Sequence, residues 1–198
     1  QIDWLAAHKT HQPQRVFLKL NSGMNRLGFA PSAYRGAWAR LNALPQVDEI
    51  SHMTHFSDAD GPRLGQDGIA HQLAAFEQAT RDLPGERSLA NSAAVLRYAS
   101  QASVRADWVR AGIMLYGSSP DHPEHDAEHW DLRPAMTLST RIIGMQTLAP
   151  GDTVGYGSGF TAARATRVGV AACGYADGYP RMAPTGTPVG VDGQRTRT

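Results

Sequence analysis

The sequence predicts an α/β fold of parallel βαβ units followed by a mostly β segment, and three observations carry that expectation. Short apolar, β-branched runs begin near residues 16, 49 and 88. A stretch of helical rhythm separates each run from the next, and parallel strands require such long crossovers. From residue 118 the composition becomes polar and Pro-containing, and the runs after it are short and β-like. Functional groups collect at the C-terminal ends of the strands in a β/α barrel and in a doubly wound sheet alike, so spacing leaves both open.

Val16–Leu20 (VFLKL) is the first strand, ending at the turn-rich NSG. Ser32–Leu44 has helical rhythm, with Ser32 as the expected N-cap after Pro31 and Pro45 as the stop. Val47–Phe56 carries the second strand. Gln66–Leu83 places Ile69, Leu73, Phe76 and Ala79 at helical spacing before a Pro-Gly stop. Ser88–Asn91 is the third strand, with a helix opening at Ser92, and a fourth strand is expected within Arg110–Gly117. Ser118–Asp131 (SSPDHPEHDAEHWD) reads as a linker or solvated surface loop. Beyond it, β-type runs are expected at Ala135–Gln146, Thr153–Tyr156, Arg167–Cys173 and Thr187–Val191. The domain change is placed near residue 130, giving units 1–130 and 131–198.

With 198 residues the chain holds one large domain or two small ones. The net charge of +1, without blocks of like charge, argues against a binder of nucleic acid driven by bulk charge. A single cysteine, Cys173, excludes an internal disulfide and any Cys-based zinc site. No apolar stretch is long enough to span a membrane, and the first residues lack signal-peptide blocks, so a soluble, cytoplasmic chain is expected. Of 19 basic residues only Lys9 and Lys19 are lysines. The chain starts without Met and stops at VDGQRTRT, which suggests a piece of a longer protein.

Several segments carry chemistry-bearing residues, and each has a plainer reading beside the functional one. His52, His55, Asp58 and Asp60 have the composition of a metal site, but His52 and His55 would face opposite sides of a strand, and no metal is expected. Buried histidines with hydrogen-bond partners are the better default. In Asn21–Gly28, Gly23 and Gly28 permit tight backbone geometry and Arg26 could clamp a carboxylate; the alternative is an ordinary loop with a surface arginine. Arg110 with Gly112 and Ile113 suggests an anion near free backbone N–H groups, and Ser92 could add a hydroxyl, unless Asn91-Ser92 is a plain helix cap. Tyr156, Tyr175 and Tyr179 lie among glycines, where aromatic packing at a hairpin is the usual outcome. Cys173 ends an apolar run and reads as a packed thiol.

Singly these segments name no function. Their order does: LKLNSGMNRLGF, THFSDAD, LANSAA, VRAGIMLYG, LRPAMTLSTRI, GDTVGYGSGFTA and GYADGYPR closely resemble the bacterial alanine racemase family, from about Val16 to Gly193. The resemblance implies a β/α (TIM-type) barrel binding pyridoxal 5'-phosphate, then a mostly β C-terminal domain, of which this chain holds the later half of the first and the earlier half of the second. It implies a homodimer with shared active sites, no nucleic-acid or membrane partner, and the interconversion of L- and D-alanine for peptidoglycan by two-base proton transfer. By motif position, Arg110 faces the pyridine nitrogen of the cofactor; Ser92, Gly112 and Ile113 form its phosphate cradle. Arg26 binds the substrate carboxylate, and Lys19 matches a lysine that is carbamylated in many members. Tyr156 matches the base for the α-proton of L-alanine, reaching in from the partner subunit, with His55 linking it to Arg110. Asp60, Tyr175 and Arg181 line the substrate entrance.

Two departures qualify the match. Asn21-Ser22 stand where the family often has Asp-Thr. A segment resembling KANAYGHG, which carries the family's Schiff-base lysine and second base, has no match here, and Lys9 sits in no matching context. The 198-residue chain alone is therefore expected not to racemise alanine. The alternatives are a broader-specificity racemase of the same fold, which Lys19 disfavours, a non-catalytic cofactor-binding fragment, and a metal-dependent barrel hydrolase.

Overall fold

The structure, a computed structural model, describes residues 1–9, 11–62 and 68–198. They form two compact units, Gln1–Met136 and Thr137–Thr198.

The first unit opens with a short helix the sequence pattern does not announce, α1 (Ile2–Ala7), and then alternates β1 (Gln14–Lys19), α2 (Pro31–Asn42), β2 (Val47–Met53), α3 (Ala70–Thr80), β3 (Arg87–Asn91), α4 (Ser92–Arg97) and β4 (Trp108–Arg110). The four strands make one sheet in the order β1-β2-β3-β4, with parallel pairing throughout. A doubly wound sheet reverses strand order at a switch point, whereas a barrel adds each strand beside the last. Curvature argues the same way. In a flat sheet, residues on the two outer strands would stand about 14 Å apart. Here the rings of Phe17 (β1) and Trp108 (β4) meet edge to face with centroids 6.2 Å apart. The sheet is therefore strongly coiled towards that face, in the manner of a barrel segment.

The opposite, convex face carries the core. Leu18 and Leu20 from the β1 end, Ile50 from β2 and Leu89 from β3 pack with Tyr34, Ala37 and Leu41 of α2 and with Phe76 and Ala79 of α3. Residues two apart in a strand share a face, so Leu18 looks towards the helices while Phe17 and Lys19 look into the concave side.

Several boundaries differ from expectation for local reasons. Ala30, not Ser32, caps α2, because Pro31 takes the first helical position, where its missing N–H costs nothing. Strand β2 stops at Met53, so Thr54 to Phe56 belong to a loop. Helix α3 covers only Ala70–Thr80; Gln66 and Asp67, where it was expected to begin, lie outside the described residues. The fourth strand is Trp108–Arg110, and Ile113–Tyr116 instead form a 3-10 turn between Gly112 and the left-handed Gly117. The segment expected as a linker or surface loop is a mostly exposed run of turns organised around one buried residue. Within Ser118–Asp131, Asp121 is buried, and its carboxylate takes hydrogen bonds from Arg97 (2.9 Å), His125 (2.7 Å), Trp130 (2.9 Å) and Ser119 (2.8 Å). These contacts hold the carboxyl far below the usual carboxylate range against the cost of burial. The polar composition thus builds a surface loop tied down at one buried carboxylate.

The second unit contains three antiparallel pairs: β5 (Ile142–Leu148) with β8 (Thr166–Ala171), β6 (Thr153–Val154) with β7 (Phe160–Thr161), and β9 (Pro188–Val191) with β10 (Gln194–Arg197). Its only fully buried apolar residue among those described is Ala162. No helix among the described residues is long and apolar enough to cross a membrane.

Candidate active site

Four chemistry-bearing groups of the first unit lie at or just beyond the C-terminal ends of its parallel strands: Lys19 at β1, His55 after β2, Ser92 after β3 and Arg110 at β4. Arg110 is held from several directions. Its Nη1 donates to Ser88 Oγ (2.6 Å); its Nη2 donates to the carbonyls of Thr54 and Leu89 and to His55 Nδ1 (3.3 Å). A guanidinium has no acceptor, so His55 Nδ1 receives that bond and the ring proton of neutral His55 sits on Nε2. Burial, then the positive charges of Arg110, Lys19 and Arg26, push the His55 pKa down to about 4. His55 is thus a neutral imidazole at neutral pH, with its N–H aimed away from Arg110.

The Lys19 ammonium is also disfavoured, first by burial and then by Arg26 and Arg110. Every charge that perturbs Lys19 and His55 is positive. Such a set of cations suits anionic groups of a ligand.

Arg26 is exposed on a loop whose shape is set by Asn21. The Asn21 carboxamide oxygen accepts from the backbone N–H groups of Gly23 (3.2 Å) and Asn25 (2.9 Å), and its nitrogen donates to Asn25 Oδ1 (3.1 Å). At the loop's end Gly28 has φ +113°, and a Cβ there would lie 2.8 Å from the Asn21 backbone nitrogen. The chain returns through bonds between Phe29 and both Lys19 and Asn21 (each 2.8 Å), so β1 and the Arg26 loop are tied together.

Asn91 is the N-cap of α4, its side chain accepting from the Ala94 N–H at 3.1 Å, which is the plain cap expected as one alternative. Ser92 nonetheless has its own role in the geometry. Its Oγ accepts from the backbone N–H groups of Gly112 (2.8 Å) and Met114 (3.4 Å), and its hydroxyl hydrogen has no partner among the described residues. Ile113, expected beside Gly112, starts the 3-10 turn, and the amide that reaches Ser92 is that of Met114.

The histidine pair separates. His52 is buried on the convex face, sharing a hydrogen bond with the Tyr34 hydroxyl (2.9 Å) and donating from Nε2 to the Pro84 carbonyl (3.0 Å). Asp58 accepts from Ser57 Oγ, and Asp60 is exposed with its backbone carbonyl 3.5 Å from Arg97 Nη1. These residues do not converge on a point, which removes the ground for a metal-dependent hydrolase. Asp121, Glu124 and His125 do lie close enough to ligate an ion, yet Arg97 already bridges the two carboxylates.

In the second unit, the β6–β7 hairpin presents Tyr156 in a turn between Gly155 (φ +80°) and Gly157 (φ +69°). Both glycines sit in the left-handed half of the map, and the ring is fully exposed rather than packed. Tyr175 and Arg181 are neighbours, the guanidinium lying 5.8 Å from the ring centroid. Cys173 is a half-buried free thiol. Among the groups missed in the sequence, Ser88 had a signal: it is a polar residue in a short apolar strand, at the position that Arg110 needs. The carbonyls of Thr54 and Leu89 had none, because side-chain identity does not encode a backbone acceptor.

Comparison with known proteins gives a consistent result. Residues 1–120 match the family model "Alanine racemase, N-terminal domain" and residues 135–198 match "Alanine racemase, C-terminal domain". The chain is 74% identical over 199 residues to the alanine racemase of Paracidovorax citrulli and 71% identical over 202 residues to that of Leptothrix cholodnii, matching all of this chain and 53% and 54% of those proteins. Among solved structures, the biosynthetic alanine racemase of Pseudomonas aeruginosa superposes with a TM-score of 0.82 at 44% identity, over the whole of this chain and 53% of that one. The chain spans about half the length of the curated relatives it matches.

Proposed function

The chain belongs to the alanine racemase family, and on that premise we propose that the protein to which it contributes interconverts L- and D-alanine as an isomerase, supplying D-alanine for peptidoglycan. We read the chain as the later half of a β/α barrel and the earlier half of a β domain, dividing near residue 130. The working form is a cytoplasmic homodimer with shared active sites.

The family implies pyridoxal 5'-phosphate, and the donor set fits it. Ser92 has a hydroxyl hydrogen unspent among the described residues, beside the backbone at Gly112 and Ile113, which suits a phosphate oxygen. Arg110 is fixed by Ser88 and two carbonyls and would face the pyridine nitrogen. When bound, the cofactor supplies an electron-withdrawing system that acidifies the α-carbon of the amino acid joined to it. A permanently charged guanidinium opposes protonation of a nitrogen beside it, so Arg110 keeps that electron sink moderate and restrains side reactions.

The remaining work belongs to side chains of this family. Arg26 binds the substrate carboxylate. The lowered proton affinity of Lys19 favours the neutral amine, the form that takes up carbon dioxide, and a carbamate on Lys19 would hold Arg26 in place. Tyr156, from the partner subunit, removes the α-proton of L-alanine. A free phenol has a pKa of about 10, so the phenolate needs a donor; neutral His55, with its proton on Nε2 and Arg110 behind it, supplies one. Asp60, Tyr175 and Arg181 line the entrance and admit small zwitterions. The second base is the family's Schiff-base lysine, for which neither Lys9 nor Lys19 is a match.

The observation that carries this reading is the bond from Arg110 to a neutral His55 at the strand ends. In the full-length enzyme, Tyr156→Phe is expected to cut turnover by about 100-fold or more while the visible absorbance of the bound cofactor persists. Unchanged turnover would overturn the assignment. Rates on arginine and lysine comparable to those on alanine would replace the narrow substrate reading with a broad one.

A further inference from the structure

His55 and Arg26 sit on different loops, one leaving β2 and the other leaving β1, and proton transfer at a fixed carboxylate requires the two loops to keep one register. Gln72, in the first turn of α3, is 0% exposed. Its Oε1 accepts from the Ser57 N–H (2.8 Å) and lies 3.0 Å from Ser57 Oγ, whose hydrogen goes to Asp58; its Nε2 donates to the His55 carbonyl (3.1 Å) and to Ser22 Oγ (3.3 Å). We propose that Gln72 is a positioning residue whose amide locks the His55 loop and the Ser22–Arg26 loop together behind the reacting groups; this rests on the roles given to His55 and Arg26 above.

A primary amide offers two donor hydrogens and an oxygen acceptor; here both hydrogens are used and the oxygen takes the Ser57 N–H. The orientation is therefore unique: turning the amide over would set NH2 against the Ser57 N–H and the oxygen against the His55 carbonyl. Gln72 grips the chain at the carbonyl of residue 55, in the peptide unit that leaves the His55 Cα, and at the amide of residue 57 just beyond it. On its other side, Ser22 Oγ continues to Thr54 Oγ1 (2.6 Å), and Thr54 Oγ1 donates to the Leu20 carbonyl (3.1 Å). The carbonyl of Thr54 in turn takes Arg110 Nη2. One side chain thus reaches His55, the Arg26 loop and the backbone that holds Arg110. Gly23 makes the approach possible, since a Cβ there would stand 3.3 Å from Gln72 Cγ, tight for any larger residue. Packing alone asks only for an apolar side chain of this length at a buried helix position. Three hydrogen bonds to two loops have a purpose beyond packing.

The test uses full-length holoenzyme. Gln72→Met keeps the side-chain length and removes every hydrogen bond. It is expected to lower kcat/KM for alanine about 10- to 100-fold, the scale of a small misplacement of reacting groups, with the visible cofactor absorbance retained. Loosening His55 slows the transfer made by Tyr156, so the isotope effect on α-deuterated L-alanine should rise and that on α-deuterated D-alanine should not. Wild-type turnover, or a lower rate with both isotope effects unchanged, would overturn the positioning role. Should Gln72→Met fail to fold, Gln72→Glu keeps the acceptors for Ser57 and removes the amide donors; it is expected to show the same isotope pattern with a smaller loss, and wild-type kinetics there overturns the proposal. His55→Ala separates the two failures. Unaffected turnover in that variant discards the role of His55 itself, whereas lost turnover there beside wild-type kinetics in Gln72→Met discards only Gln72.

Discussion

At His55 the neighbouring charges are Lys19, Arg26 and Arg110, all positive, and the ring is partly buried among them. Protonating it in the folded chain is therefore costly, and its pKa of about 4 lies below the unfolded value of about 6.5. Between those two values the unfolded chain binds a proton that the folded chain refuses, so stability falls as pH drops through the window from about 6.5 to about 4. His52, also depressed by burial, contributes in the same direction, so the comparison must be made against a variant. In the 198-residue chain, His55→Asn is expected to show a flatter melting temperature between those pH values than wild type. Parallel profiles for the two proteins would mean that His55 titrates normally. The same residue shows how far sequence reading reaches. Its place near the C-terminal end of the second strand was legible; its separation from His52 was expected from strand alternation, but β2 stops at Met53 and His55 departs because it lies in the loop beyond. Its neutral state was not legible, because Lys19, Arg26 and Arg110 come from three other segments of the chain. Gln72 was invisible for a related reason: an amide within a helical pattern looks like a solvent-facing residue until the loops it bonds are placed.

Among the elements, β3 with α4 was read to within a residue, since an apolar run followed by Asn-Ser carries both a strand and its cap in six residues. The β4 region was misread because Trp108–Arg110 is only three residues long and the apolar IMLY beyond it invites extension. Gly28 and Gly36 bring out a contrast that sequence does not reveal. Gly28 closes the Arg26 loop with φ +113°, and an added Cβ would meet the Leu20 carbonyl carbon at 2.8 Å and the Lys19 carbonyl oxygen at 2.9 Å. Backbone atoms held in a strand cannot yield, so Gly28→Ala is expected to destabilise by about 2–3 kcal/mol. Gly36 lies on the exposed side of α2 with nothing within 4 Å of its Cβ position. Gly36→Ala is expected to stabilise by about 0.5–1 kcal/mol, the ordinary helix preference. Denaturant unfolding of both variants checks the pair, and equal effects would mean that the loop does not need glycine at residue 28.

At the scale of the whole chain the two units differ in how they are held. The alternation of the first unit was legible because each strand must bury one face and each crossover helix must cover it, which imprints periodicity on both. The second unit was legible only as a series of β-type runs; β7 and β10 were missed, since two-residue and charged edge strands carry little pattern. Its physics is also different. The first unit has Phe56, Phe76, Leu89 and Tyr34 at or near zero exposure, packed between sheet and helices. The second has three two-stranded pairs and Ala162 as its one fully buried apolar residue among those described. Isolated two-stranded ribbons are marginal in water, and a fully buried aliphatic or aromatic side chain contributes about 1.5–3 kcal/mol. The 198-residue chain should accordingly unfold in two steps. Hydrogen exchange at neutral pH is expected to protect the backbone amides of His52 and Thr54, which bond to Glu86 and Ser88 across the buried sheet, by orders of magnitude more than those of β5 and β8. Comparable protection in the two units would show that the second has a core of its own and that its exposed residues Ile143 and Met145 are not what limits its stability.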